Sequence, residues 1–280
     1  MKTTKVFKSE EEKREVLKYY DKLLARWPVP KEEQLIETQY GTTYGITCGD
    51  RLSPPLILLH GTNSNSTMWL GDIAEYSRHF RVYALDIPGE PGKSGDTQYP
   101  LDSPAYADWL EEVLKALELK KVSLMGLSLG GWLAVNYALR HQERIERLVL
   151  LCPSGIGRTK ASFLFRAFPL MLMGDKGIDC VTRIVYGSRV VPVEVLEYSR
   201  ILSKAFNLRK EPIPIFKDKE LECLTMPVMV LAGSKDALLC SDETISRMKQ
   251  ALPQADARLL PDMGHALLNM TDIVLPFLLK

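Results

Sequence analysis

A serine occupies the middle of Gly126-Leu127-Ser128-Leu129-Gly130, between a β-rich run and a helical one. In that setting a Gly-x-Ser-x-Gly match predicts a sharp strand-to-helix turn that exposes the serine hydroxyl. The two glycines lack a Cβ, so the strand and the helix can crowd together on both sides of the turn. Amides at the helix N-terminus would favour a negative charge developing there. The alternative is a simple N-cap serine between packing glycines, so the pentapeptide needs support from the rest of the chain.

A serine hydroxyl becomes a nucleophile only beside a base, and the base needs a group that orients it. Of the four histidines, His265 follows the last predicted strand, where a loop can reach the serine, and we predict that it is the base. The acid is expected at a strand end between the two, and Asp236 meets this requirement. Asp242 and Glu243 are assigned to the start of the next helix, where acidic residues are favoured, and Asp262 to a turn.

Two backbone N–H groups are also needed to bind an oxyanion. The amide of Leu129, directly after the serine, is the first expected donor. The second must come from the loop His60-Gly61-Thr62, which follows a buried strand. Because Gly61 lets the backbone pass close to a substrate, we predict the amide of Thr62 as this donor. His60 is interpreted as a structural histidine that forms hydrogen bonds beneath the loop.

The elements that position these residues are apolar strands alternating with helices. Six apolar runs, most of which are typical of strands buried on both faces of a sheet, each end in a polar loop. They are residues 55–59, 81–85, 121–126, 145–151, 228–232 and 257–260. An opening hairpin (34–39 and 42–47) brings the expected sheet to eight strands, with helices predicted at 68–77 and 103–117. This alternation predicts a mostly parallel, doubly wound sheet, in which ligands bind beyond the carboxyl ends of the strands.

Two segments fall outside the alternation. Residues 9–26 form a predicted amphipathic helix within an N-terminal extension (1–30), suited to packing on the domain surface, to a homodimer contact or to a lid flap. Residues 157–222 contain helix-like apolar pieces between glycines and prolines and no buried parallel strand, so we predict a helical cap over the active site. The core is then expected to comprise 31–156 and 223–280.

The composition of the 280 residues excludes several classes of function. The formal net charge is +1, so no charge imbalance points to nucleic acid or an anionic membrane as a partner. The N-terminus has no apolar signal region, and no apolar run is long enough to cross a bilayer. Five scattered cysteines without a Cys-x-x-Cys pair indicate neither a disulfide framework nor a zinc site. A cytoplasmic location is expected. Basic residues outnumber acidic ones in 158–222, which solvated surface charge or an anionic substrate would explain.

Five motifs in this order resemble those of α/β-hydrolase fold serine hydrolases, specifically the capped carboxylesterase-like members. They are His60-Gly61, Asp86-x-Pro88-Gly89, Gly126-Leu127-Ser128-Leu129-Gly130-Gly131, Gly233-x-x-Asp236 and Gly264-His265. The resemblance runs from about Leu56 to the C-terminus. It implies an α/β-hydrolase fold and a Ser128–Asp236–His265 triad that acts through an acyl-enzyme. It also implies a small-molecule ester as substrate, with neither a cofactor nor a metal.

The chain departs from some relatives of that family in the turn itself. Epoxide hydrolases and haloalkane dehalogenases of this fold carry Asp as nucleophile, where this chain has Ser128. Carbon–carbon bond hydrolases typically have Asn and Met around the nucleophile, where Leu127 and Leu129 stand here. The leading hypothesis is therefore an esterase for small to medium carboxylic esters. The alternatives are C–C bond hydrolysis, thioester hydrolysis or acyl transfer by the same triad, and a ligand receptor of this fold with little turnover.

Overall fold

The computed structural model describes residues 5–187 and 190–280 and is built around one eight-stranded sheet. The strands are β1 (Lys31–Thr38), β2 (Gly41–Cys48), β3 (Pro55–Leu59), β4 (Arg81–Leu85), β5 (Val122–Leu127), β6 (Ile145–Leu151), β7 (Val228–Gly233) and β8 (Asp256–Leu260). Their order across the sheet is β1-β2-β4-β3-β5-β6-β7-β8. Strand β2 pairs antiparallel with β1 and β4, and all other neighbours are parallel. The predicted mostly parallel eight-stranded sheet is confirmed.

Helices connect the parallel strands and cover both faces of the sheet. They are α1 (Glu10–Leu24), α2 (Ile73–Tyr76), α3 (Ala105–Ala116), α4 (Leu129–Ala138), α5 (Ala161–Met171), α6 (Gly174–Tyr186), α7 (Val193–Ala205), α8 (Asp218–Leu221), α9 (Ser241–Ala251) and α10 (Thr271–Leu278). Two short 3₁₀ helices cover Ser66–Gly71 and Gln142–Arg144. The four helices α5 to α8 all lie between β6 and β7 in the chain.

The helix predicted at 68–77 is instead a 3₁₀ helix followed by the four-residue α2. Asp72 stands between them, and its carboxylate accepts the amides of Asn269 and Met270 at 2.9 Å each. The amide of Asp72 in turn closes the 3₁₀ helix on Trp69 O at 2.9 Å. The chain is thus held at this point by a contact with a distant segment, which local apolar periodicity cannot predict.

The core is divided by the sheet into two apolar layers. In β3, Ile57 and Leu59 face one layer with Trp109 of α3, whereas Leu56 and Leu58 face the other. Successive side chains of a strand point to opposite faces, so a strand buried on both sides must be apolar throughout. This explains the unbroken apolar runs, and it leaves the strand ends as the places where polar residues can be presented.

The N-terminal helix α1 contacts the helices inserted after β6. The ring of Tyr19 stacks on that of Tyr198 in α7 with centroids 5.0 Å apart, and its hydroxyl donates to Glu197 at 2.8 Å. An apolar cluster surrounds this pair and includes Val6, Phe7, Val16, Leu202 and Phe206. Burial of this shared apolar surface ties the N-terminal segment to α7.

No helix within residues 5–187 and 190–280 combines the length and apolar character that crossing a bilayer requires.

Candidate active site

Ser128 forms the turn between β5 and α4. Its φ of 54° and ψ of −110° place it in a sparsely populated conformation for a residue with a side chain. A Cβ on Gly126 would lie 2.2 Å from Gly130 O, and one on Gly130 would lie 2.2 Å from Leu59 O. Only glycine fits at both positions, so packing holds the turn closed around the strained serine.

The structure brings three of the predicted site residues into one chain of hydrogen bonds. His265 Nε2 lies 2.9 Å from Ser128 Oγ, and His265 Nδ1 lies 2.7 Å from Asp236 Oδ2. Since a carboxylate only accepts, Nδ1–H donates to Asp236 and Nε2 is left to accept the Ser128 hydroxyl proton. His265 is 5% exposed and Asp236 2% exposed, so the contact between them is shielded from water, whereas the contact to Ser128 is partly buried. The arrangement can move a proton from Ser128 to His265.

Asp236 is held in the orientation that His265 needs. Its Oδ1 accepts the amides of Leu238 at 2.7 Å and Leu239 at 3.0 Å, which leaves Oδ2 for the imidazole. Burial alone would raise the pKa of Asp236. The hydrogen bond and charge of His265, together with the two amides, outweigh burial and hold the pKa below its usual range. The carboxyl group is therefore ionised at neutral pH.

The loop that carries His265 is held by backbone contacts with the end of α6. The amide of His265 donates to Val185 O at 2.9 Å. A Cβ on Gly264 would lie 2.5 Å from the carbonyl carbon of Tyr186, so the loop and the end of α6 are in backbone contact. The position of the imidazole thus depends on the inserted helices as well as on β8.

The amides predicted to bind an oxyanion belong to two segments that adjoin the serine turn. Leu129 is the first residue of α4, and a Cβ on Gly61 would lie 3.5 Å from Ser128 Cβ, which places the Gly61-Thr62 loop against the turn. Within the part of the chain that the structure describes, neither the Thr62 amide nor the Leu129 amide donates to a protein atom. Two unused donors in the segments that adjoin the serine can stabilise negative charge on a substrate oxygen.

His60 lies beneath this loop and connects two strand ends. Its Nε2 accepts the amide of Ile87 at 2.9 Å, and its Nδ1–H donates to Gly61 O at 2.8 Å. Complete burial lowers the pKa of His60, an effect that Asp86 and the Gly61 carbonyl only partly oppose. A neutral His60 joins the loop after β3 to the loop after β4, as a structural histidine would.

Sequence reasoning missed Glu90, a carboxylate buried behind the same loop. Glu90 is 1% exposed, and its Oε2 accepts the amide of Asn63 at 2.7 Å. Asn63 has a φ of 56° and directly follows Thr62, so this bond stabilises a left-handed turn beside the Thr62 amide. Burial raises the pKa of Glu90 to about 8, although the Asn63 amide and Arg209 act in the opposite direction. No sequence pattern distinguishes this glutamate from an exposed one.

We expect Glu90→Gln to remove a pH dependence of stability. The folded-state pKa of about 8 exceeds the unfolded value of 4.5, so Glu90 favours the fold fully below about pH 4.5. This contribution is lost as the pH rises through about 8. The free energy of unfolding of the wild type, relative to Glu90→Gln, should therefore fall by about 2–4 kcal/mol between about pH 5 and pH 8.5.

Urea unfolding of both proteins at the two pH values measures this difference. The exposed Glu15→Gln is the control for the loss of one carboxylate from the surface. If the free energy of unfolding of the wild type, relative to that of Glu90→Gln, stayed constant or rose with pH, this result would contradict the buried protonated state of Glu90.

A second residue absent from the sequence reasoning is Ser154, which follows β6. Its Oγ lies 3.4 Å from Ser128 Oγ, and Ser154 is 5% exposed. Cys152, two residues earlier, has a φ of 39° and turns the chain after β6. A small polar residue three places after a predicted strand carries no signal of its own, because its distance from Ser128 depends on how β5 and β6 pair.

One group of side chains among the described residues could in principle ligate a metal ion. The ligand atoms of Cys152, Asp236 and His265 lie within 4.8 Å of one another. Burial raises the pKa of the Cys152 thiol, and the Asp236 carboxylate raises it further. A cation at this position would have to replace the proton between His265 and Asp236, so it would compete with the proton path to Ser128.

Known proteins resemble this chain over most of its length. A model of the alpha/beta hydrolase family matches residues 56–274. The carboxylesterase YbfK of Bacillus subtilis is 31% identical over 260 residues, which are 89% of this chain and 86% of YbfK. The crystal structure of carboxylesterase CesB (YbfK) from Bacillus subtilis gives a TM-score of 0.85 at 29% identity, covering 96% of this chain and 97% of that one. Naproxen esterase (carboxylesterase NP) from Bacillus subtilis gives 0.87 at 26%, covering 97% and 99%.

Proposed function

The chain belongs to the alpha/beta hydrolase family and is a hydrolase of the carboxylesterase type, and we propose that Ser128, His265 and Asp236 form its catalytic triad. The same matches confirm the expected α/β-hydrolase fold. We further propose that its substrates are carboxylic esters of small to medium size. The hydrogen-bond chain from Asp236 through His265 to Ser128 is the observation that carries the proposal.

In the acylation step, Ser128 Oγ attacks the carbonyl carbon of the ester while its proton passes to His265 Nε2. The imidazolium that results is stabilised by the ionised Asp236 at Nδ1. The negative charge moves to the former carbonyl oxygen, where the amides of Thr62 and Leu129 donate to it. The tetrahedral intermediate then expels the alcohol, which takes the proton from Nε2 and leaves an ester between the acyl group and Ser128.

In the deacylation step, water takes the place of the alcohol. His265 Nε2 removes a proton from the water as its oxygen attacks the acyl carbon, and the same two amides stabilise the second oxyanion. The bond from the acyl carbon to Ser128 Oγ then breaks, and Oγ recovers its proton from Nε2. The carboxylic acid departs and the free enzyme is restored, so the cycle needs no group beyond the protein and water.

We assign residues 157–222 the role of a cap that completes the site, on a core formed by 31–156 and 223–280. Two contacts support this assignment. The carbonyl of Val185 accepts the amide of His265, and Lys160 Nζ donates to the carbonyl of Asp236 at 2.7 Å. Because both contacts reach triad residues, movement of the cap would change the triad geometry as well as substrate access.

We also propose a cytoplasmic location, the absence of nucleic-acid and membrane partners, and a homodimer contact as one use of the N-terminal extension (1–30). The formal net charge of +1 supports the absence of a nucleic-acid partner, since phosphate recognition needs a concentration of positive charge.

A fluorophosphonate probe tests the proposed nucleophile directly. An activated serine displaces fluoride from phosphorus and keeps the phosphonyl group, so one label per chain is expected on the peptide that contains Ser128. Ser128→Ala should abolish labelling. Ser123→Ala, which removes a buried hydroxyl from β5, should be labelled to the same extent as the wild type. A label on another serine, or an unlabelled folded wild type, would contradict the assignment.

A further inference from the structure

A second hydroxyl lies next to the proposed nucleophile. Among the described residues, the side chains within hydrogen-bond reach of Ser128 Oγ are His265, at 2.9 Å, and Ser154, at 3.4 Å. Resting on the acyl-enzyme mechanism above, we propose that Ser154 is a further catalytic residue. Its hydroxyl stabilises Ser128 Oγ as the leaving group when the acyl-enzyme is hydrolysed.

The backbone fixes the position of Ser154 relative to the nucleophile. The amide of Ser128 donates to Leu151 O at 2.9 Å, and the amide of Ser154 donates to Ser128 O at 3.1 Å. Both backbone groups of the nucleophile are therefore bonded to the segment that carries Ser154. The pairing of β5 and β6 fixes the two backbones, and only rotation about the χ1 angle of each serine can then change the Oγ–Oγ distance.

The chemistry of the neighbours determines which hydroxyl donates. His265 uses Nδ1–H for Asp236, so Nε2 has a lone pair and takes the proton of Ser128. The hydroxyl of Ser128 therefore donates its proton to His265 and has none left to donate to Ser154. In the contact between the two serines, Ser154 is the donor and Ser128 Oγ is the acceptor.

A donor at this position has unequal effects on the two steps. Before acylation, the hydrogen bond from Ser154 stabilises the neutral Ser128 hydroxyl in the ground state. This offsets any stabilisation of the acylation transition state. In the acyl-enzyme, Oγ is an ester oxygen and a weak acceptor. As the carbon–Oγ bond breaks, its electron pair returns to Oγ, which becomes a strong acceptor before the proton arrives from Nε2. Only interactions that strengthen in the transition state accelerate a step, so Ser154 favours deacylation.

Ser154→Ala tests this difference with p-nitrophenyl acetate. With enzyme in excess, release of nitrophenol measures acylation, and intact-mass spectrometry of quenched samples measures loss of the acetyl group from Ser128. We expect the variant to deacylate about tenfold more slowly, the size of one hydrogen bond to a developing anion. Acylation should change by less than about twofold. Where deacylation limits turnover, kcat and KM fall together and kcat/KM is retained.

Ser123→Ala is the matched control, since it removes a buried hydroxyl from β5 away from Ser128, and it should behave as the wild type. If Ser154→Ala slowed both steps equally, the substitution would have displaced Ser128, and this result would overturn the proposal. A deacylation rate equal to that of the control would also overturn it. A wild type that hydrolyses esters without ever carrying the acetyl group on Ser128 would instead contradict the acyl-enzyme mechanism itself.

Discussion

Ser128→Ala is expected to lower kcat/KM for a p-nitrophenyl ester by about 10⁴- to 10⁶-fold, with the protein still folded. The variant lacks the atom that attacks the carbonyl, and a water molecule near His265 is a poor substitute because it is not held in line with the ester. The amides of Thr62 and Leu129 are backbone groups and stay in place, so a residual rate above that in water should remain.

The fold should tolerate this change. Alanine has the same Cβ as serine, so the φ of 54° at position 128 imposes a similar strain. The hydroxyl contacts His265 and Ser154, and His265 keeps its hydrogen bond to Asp236. Thermal unfolding of the variant should therefore be cooperative, with a Tm near that of the wild type.

Steady-state hydrolysis of the same ester by wild type, Ser128→Ala and Ser123→Ala measures the effect. Ser123→Ala should stay within about threefold of the wild type, because Ser123 lies in β5 away from the turn. If folded Ser128→Ala kept more than about one hundredth of the wild-type kcat/KM, another nucleophile would have to carry the reaction.

The residues that the sequence predicts most directly are those at the ends of parallel strands. Ser128, Asp236 and His265 follow β5, β7 and β8, and parallel strands place their carboxyl ends along one edge. Ser128 precedes both Asp236 and His265 by more than 100 positions, and the topology of the sheet alone can bring the three residues together. The apolar runs fix the strands, and the polar residues after them are then few enough to compare one by one.

The supporting contacts could not be predicted in this way, for two physical reasons. Some involve backbone atoms, such as Val185 O, which accepts the amide of His265, and backbone groups have no residue-specific signature. Others depend on burial: Glu90 and Ser154 are polar residues in loops, and only the packed structure places one against Asn63 and the other against Ser128.

The contact between α1 and α7 is a related case. The apolar stripe of α1 predicts a buried face, but many surfaces of the molecule could accept it. The choice of α7 depends on the fit of particular side chains, among them the stacked rings of Tyr19 and Tyr198. Amphipathic periodicity therefore predicts that α1 packs against the domain, whereas tertiary packing determines which helix it contacts.

Asp236→Asn is expected to lower kcat by about 10³- to 10⁴-fold through a change in the His265 tautomer. The asparagine oxygen can keep the amides of Leu238 and Leu239, which bond to Oδ1 in the wild type. Its NH₂ group then faces His265 Nδ1, which must become an acceptor. The proton moves to Nε2, and Nε2–H cannot take the proton of Ser128.

The matched control for this substitution is Asp262→Asn, which changes the other acidic residue close to His265 in the sequence. Asp262 bonds to Lys235 at 2.7 Å on the surface, so its loss should alter kcat by less than about threefold. Measurement of kcat for both variants with one ester separates the two candidates for the acid. A larger loss in Asp262→Asn than in Asp236→Asn would reassign the acid. Equal and small losses would mean that packing alone orients His265, because the amide of His265 remains bonded to Val185 O in either variant.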